Sequence, residues 1–212
     1  MLSSPTVQNP SFEIAPHVKN TDWQALALTP ESERGSWIKA TEMFRKRVGR
    51  FIEPANVLMS SADKKTILYS GFAIMALDCL LIETLQSFKT GRPNPVRAND
   101  RQSTKMIVDF LTQRTLFASS FDEARARVFY DHFRNGILHQ GEVKSSGRIR
   151  IDTPEMVIPS DDGQSLIVNR RRFHDALVKT VEDYINDLIN GTDIELCINF
   201  IKKMNEICRL NG

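Results

Sequence analysis

The amino-acid sequence predicts a mainly α-helical protein: a helical bundle carrying one small β-hairpin insert. Three observations lead there. An apolar run from Ile67 to Leu85 reads as a helix buried on all sides. Start and stop residues recur at helix-length intervals from residue 30 onward. Only between about residues 147 and 168 does the texture change to short strand-like stretches separated by turn residues.

Taken in order, residues 1–29 are rich in Ser, Pro, Asn and Thr, and Pro5, Pro10 and Pro16 prevent a regular start. They read as an extended N-terminal arm lying on a single domain of residues 30–212. Thr29-Pro30-Glu31 supplies an N-cap, a first-turn proline and an early acid, so a helix is expected from there to about Phe51, ending before Pro54. The apolar helix should span about Asp63 to Phe88 and stop at Gly91. A shorter helix is expected over residues 101–113. Ser120-Phe121-Asp122-Glu123 opens the next one, with Ser120 as cap, and it fades near His139-Gln140-Gly141. Gly147–Asp152, Met156–Ile158 and Ser165–Val168 read as strands, the last two joined across Ser160-Asp161-Asp162-Gly163. Helices over 169–188 and 193–209 close the chain.

Composition narrows the function classes. The 212 residues hold 28 basic and 26 acidic side chains, so no overall field demands a nucleic-acid partner. Cys79, Cys197 and Cys208 are odd in number and widely spaced, which argues against a disulfide framework or a zinc site and for a reducing, cytoplasmic setting. No basic start followed by an apolar run suggests a signal peptide. The 19 residues from Ile67 to Leu85 are long enough to cross a bilayer, but they carry Asp78 and Glu83, which are expensive at membrane depth. A core helix is expected, with no membrane partner. No phosphate-binding Gly-rich loop and no nucleophile elbow appears.

One stretch carries chemistry: Phe133-Arg134-Asn135-Gly136-Ile137-Leu138-His139-Gln140. Arginine offers a permanent charge and a planar fork of donors suited to phosphate. Histidine exchanges protons near neutral pH. On an ideal helix Phe129, Phe133 and Ile137 share a core-facing stripe, while Arg134 and His139 lie about 140° apart. Convergence then needs either an unwound end at Gly136 or a second copy of the helix across a two-fold axis. Arg134 and His139 are also well placed simply to satisfy the last carbonyls and oppose the dipole.

The Arg-polar-x-x-x-His arrangement resembles the signature of HEPN domains. Arg134 and His139 match its two fixed positions, and Asn135 matches the polar residue after the arginine. The resemblance covers roughly residues 30 to 190, although only the short motif is specific. It implies an all-helical homodimer and a metal-independent RNA endonuclease without cofactors. The substrate's 2′-hydroxyl would then be the nucleophile. In that reading His139 moves protons, Arg134 holds the phosphate and Asn135 orients either of them. Glu83 anchors Arg134, tunes His139 or is a solvated helix-end residue. His132 is a second candidate proton carrier or a surface histidine, and Asp131 is expected to pair with Arg127. Lys144, Arg148, Arg150 and the run Arg170-Arg171-Arg172 are candidate RNA contacts. Three arginines in a first helical turn oppose its dipole, so helix stability does not explain them. The biological setting implied is a toxin–antitoxin or phage-defence system, with an antitoxin or regulatory protein as a further partner. The competing readings are a non-catalytic HEPN-like module for dimerisation, nucleotide or partner binding, and a helical regulatory protein whose Arg and His are only caps.

Overall fold

A computed structural model describes residues 10–92, 100–191 and 193–210. The expected helical bundle is present. Strands β1 (Glu13–Ala15) and β2 (Val18–Lys19) pair antiparallel and lead into α1 (Asn20–Leu26). Helices α2 (Arg34–Ser60), α3 (Lys64–Tyr69), α4 (Gly71–Thr90), α5 (Asp100–Gln113) and α6 (Thr115–Ala118) follow. α7 (Glu123–Val128) continues into two π-helical stretches, Phe129–Arg134 and Gly136–Gln140. Next come β3 (Arg148–Arg150), β4 (Val157–Pro159) and β5 (Leu166–Asn169), then α8 (Arg170–Asn190) and α9 (Ile194–Ile207).

Helix α4 is the hub, packed against α2, α5, α8 and α9. Phe44, Phe88, Tyr184 and Phe200 meet edge-on or tilted at one end of the core. At the other end Phe129 stacks on Phe133 and on Phe173, with centroids 5.4 and 5.1 Å apart. Aromatic rings combine large apolar area with defined contact geometry, so these two clusters fix the position of the helix that bears the motif.

Several expectations change. The described part of the N-terminal arm lies on the domain, folded as a hairpin and helix α1 where an extended segment is expected: Ile14, Ala15, Val18 and Trp23 are buried, and the Trp23 indole donates to Asn205 Oδ1 at 2.8 Å. Burying those four apolar side chains outweighs the turn-forming composition around them. Residues 1–9 lie outside the described residues. The helix expected to open at Thr29 begins at Arg34, because Thr29 and Ser32 close a turn of their own. It also runs through Pro54. Arg50 and Pro54 are both exposed, so water can take the carbonyl that Pro54 cannot serve, while Ala55, Met59 and Ile74 bury the next turn. The long apolar helix is broken at Ser70, with Asp63 capping the first piece and Gly91, at φ 59°, ending the second. Asp122, not Ser120, caps α7, its Oδ1 accepting from the Arg125 amide at 2.8 Å. Beside the expected β4–β5 hairpin, β3 adds to the other edge of β5 in parallel, making a three-stranded sheet.

Candidate functional site

Arg134 leaves the first π-helical stretch between two fixed partners. Its Nε donates to Glu83 Oε1 on α4 at 2.7 Å, and its guanidinium lies 5.6 Å from the Tyr130 ring centroid, one turn earlier. The two side chains retain only 14% and 26% of their exposure. Burial works against the Arg134 charge, but the hydrogen bond and the charge of Glu83 outweigh it and hold the guanidinium protonated more firmly than usual. Of the alternatives for Glu83, it is therefore the Arg134 anchor.

Arg134 Nη1 reaches Asn135 Oδ1 at 3.0 Å and His139 Nε2 at 3.2 Å. A guanidinium only donates, so in this contact His139 Nε2 is the acceptor. The 140° divergence expected from α-helical geometry does not occur. In a π-helix the amide bonds to the carbonyl five residues back, as the Asn135 amide does to Tyr130, and the wider turn brings side chains five apart nearer to one face than an α-helix does. Arg134 and His139 are five apart. The core stripe of Phe129, Phe133 and Ile137 is buried as expected.

Gly136 is not the point of unwinding. The Glu142 carbonyl passes so close that a Cβ there would collide with it, and the Glu142 amide donates back to the Gly136 carbonyl at 3.2 Å. The helix ends at Gly141, whose φ of 69° is the left-handed conformation glycine adopts freely. Arg134, Asn135, His139 and Glu83 thus form one constellation within a single chain.

The other candidates separate from it. His132 turns to the β-insert, its Nδ1 2.9 Å from Ser165 Oγ, and makes no contact with His139. Asp131 is exposed, and Arg127 pairs with Glu123 instead, at 2.7 Å. Lys144 lies beside Gly136 at the motif. Arg148 and Arg150 are exposed and lean on Asp161 and Asp152, at 3.6 and 2.7 Å. The arginine run of α8 proves to be partly structural. Arg170 is buried and donates to the Ile67 carbonyl, while Arg171 Nη2 donates to the Met59 carbonyl at 3.2 Å. These carbonyls belong to the last turns of α3 and α2, so the cations oppose two helix C-termini and Arg170 is withdrawn from the RNA-facing set. Arg172 remains exposed.

No family model, no curated protein and no solved structure matches this chain. The residues themselves must carry the functional reading.

One feature escaped sequence reading: the cleft beside Arg134 encloses about 320 Å³, and Arg47 of α2 and Lys203 of α9 add two cations to its wall. Tyr130, one turn before Arg134 and on its flank of the helix by sequence spacing, supports the guanidinium. Among the described residues no three His, Cys, Asp or Glu side chains come together as a metal-binding group.

Proposed function

We propose that this chain is an endoribonuclease that cuts RNA without a metal ion, acting through Arg134 and His139. One observation carries the reading: an arginine held firm by Glu83 touches the Nε2 lone pair of a solvent-exposed histidine at 3.2 Å. An anion binder and a proton acceptor that share one reachable point suit transfer at a phosphodiester.

In this mechanism a phosphate of the RNA backbone displaces His139 from Arg134 and takes two guanidinium donors. The ribose 2′-hydroxyl attacks the adjacent phosphorus, and its proton passes to His139 Nε2. The bond to the 5′-oxygen breaks, that oxygen leaves as a hydroxyl after taking a proton from a solvent water, and His139 returns its proton to the hydroxide so formed. The products are a 2′,3′-cyclic phosphate and a 5′-hydroxyl. Asn135 holds the guanidinium in plane, and Lys144, Arg148, Arg150 and Arg172 provide the charged approach. DNA, lacking the 2′-hydroxyl, is not cut.

The reading includes a homodimer. The outward face of α4 presents Phe72, Ala76 and Leu80 in a line that ends at Glu83, and Phe72 and Leu80 keep 42% and 38% of their exposure. A second copy covering that stripe would lie against the site, although the convergence of Arg134 and His139 does not require it.

Incubation with total RNA in EDTA tests the reading. Wild type should yield cyclic-phosphate ends, and Arg134→Ala and His139→Ala should not. Cleavage that survives in both variants would sink the mechanism. Leu80→Asp should shift the light-scattering mass from dimer to monomer.

A further inference from the structure

The cleft that Arg134 helps to line is more than the back of the site. It is walled by α2, α4, α5, Arg134 and α9, and its volume of about 320 Å³ lies at the lower end of the range for small-molecule sites. Its charges are unequal. Glu83 is committed to Arg134, and Lys203 to Glu206 at 2.7 Å and the Arg92 carbonyl at 3.2 Å. Arg47 has no carboxylate partner among the described residues: its Nη1 donates to the Ile14 carbonyl at 2.6 Å, which also accepts from Arg50 at 3.0 Å. One carbonyl dipole cannot neutralise two guanidinium charges. Burial, with Arg50 nearby, pushes the Arg47 pKa down to about 10, the cost of a half-buried cation lacking an anion. Besides its charges, the cleft is lined by apolar side chains, among them Phe51, Met106 and Ile207, and by the hydroxyls of Thr84, Ser87 and Ser103.

Two cations and a set of apolar side chains lining one cleft match one nucleotide with a phosphate on either side. We infer that this cleft is a nucleotide subsite, seating the RNA nucleotide next to the cleaved phosphate, with that phosphate on Arg134, the following one toward Arg47 and the base against Phe51, Met106 and Ile207. The subsite rests on the RNA-cleavage reading for its biological ligand, but its chemistry can be probed without cleavage.

Adenosine 3′,5′-bisphosphate, which carries both phosphates, is the probe. Calorimetric titration is compared for the whole wild-type chain, Arg47→Gln and Ser103→Trp, the last filling the cleft from α5. Wild type should bind the bisphosphate. Its Kd should rise at least tenfold in Arg47→Gln and binding should vanish in Ser103→Trp, while both variants melt cooperatively. KM for a short RNA should rise in parallel with kcat retained, the mark of lost ground-state binding. If Arg47→Gln does not fold, Ser103→Trp decides alone. No binding by wild type, unchanged Kd in the variants, or inorganic phosphate competing as well as the bisphosphate overturns the subsite. Binding lost in the variants while wild type cuts no RNA upholds the nucleotide site and overturns the cleavage reading instead.

Discussion

Five residues apart on α4, Asp78 and Glu83 each meet a cationic or protonatable side chain from another helix, but in different surroundings. Asp78 Oδ1 and His174 Nδ1 lie 2.6 Å apart with 1% exposure each, and Asp78 Oδ2 and His174 Nε2 have no hydrogen-bond partner among the described residues. Glu83 and Arg134 meet at a similar distance beside an open cleft, with Arg134 donors left over for Asn135 and His139. The first pair is sealed, so its energy can only hold α4 to α8. The second is half-open, so its geometry can act on something that arrives. Position on one helix decides which carboxylate is a fastener and which is an instrument.

That contrast yields predictions in descending size. His139→Ala should lower RNA cleavage about 10²–10⁴-fold, the usual value of a positioned proton carrier, while the melting temperature stays put because His139 is exposed. Arg134→Ala should lower cleavage about 10²–10³-fold and cost about 1 kcal/mol by urea titration. Asp78→Ala reverses the pattern. With its partner left buried, unfolding free energy should drop by about 3 kcal/mol, while the variant that remains folded keeps its kcat. A large loss of kcat in folded Asp78→Ala would erase the distinction between the pairs. Glu83→Gln, which keeps a carbonyl oxygen for Arg134 Nε, should cost about tenfold in kcat through looser positioning.

The smallest effect is one of pH. Burial pushes the Asp78 carboxyl above its ordinary 3.8, against the pull of the His174 hydrogen bond. A raised acid stabilises most below its unfolded pKa and loses that contribution as pH rises through the folded value. Asp162, in the β-insert, is the opposite. Hydrogen bonds from Ser146, Gln164 and Ser160 hold its carboxyl at about 2, so its contribution is present above 3.8 and disappears as pH falls toward 2. Amide exchange at Ser165 should therefore quicken between pH 4 and 2 in wild type, and Asp162→Asn should remove that dependence.

Much of the fold was legible because helix ends are local. Asn169, Asp193 and Gly91 cap where their residue types suggest. What failed depended on distant atoms: the burial of Trp23, the cluster that carries α2 past Pro54, and the carbonyls that claim Arg170 and Arg171. In the site, the identities of Arg134, Asn135 and His139 could be read, but their convergence could not, since a period of 3.6 residues sends them apart. Glu83 was nameable only as one of several possibilities, because 51 residues separate it from Arg134. His174 gave a weak signal, a histidine beside Phe173 on the core face of α8, answering an acid in an apolar run.

The π-helical stretch has a consequence for control. It holds one more residue per turn than the helix feeding it, so everything beyond it is out of phase with an ordinary continuation. Relaxing it to α-helix would swing His139 about 140° from Arg134. Phe129 opens the first π-helical stretch and precedes that rotation, whereas Phe133 and Ile137 lie within it. A rephasing of these two turns would thus part Arg134 from His139 with no helix lost, provided that Phe133 and Ile137 repack in the core.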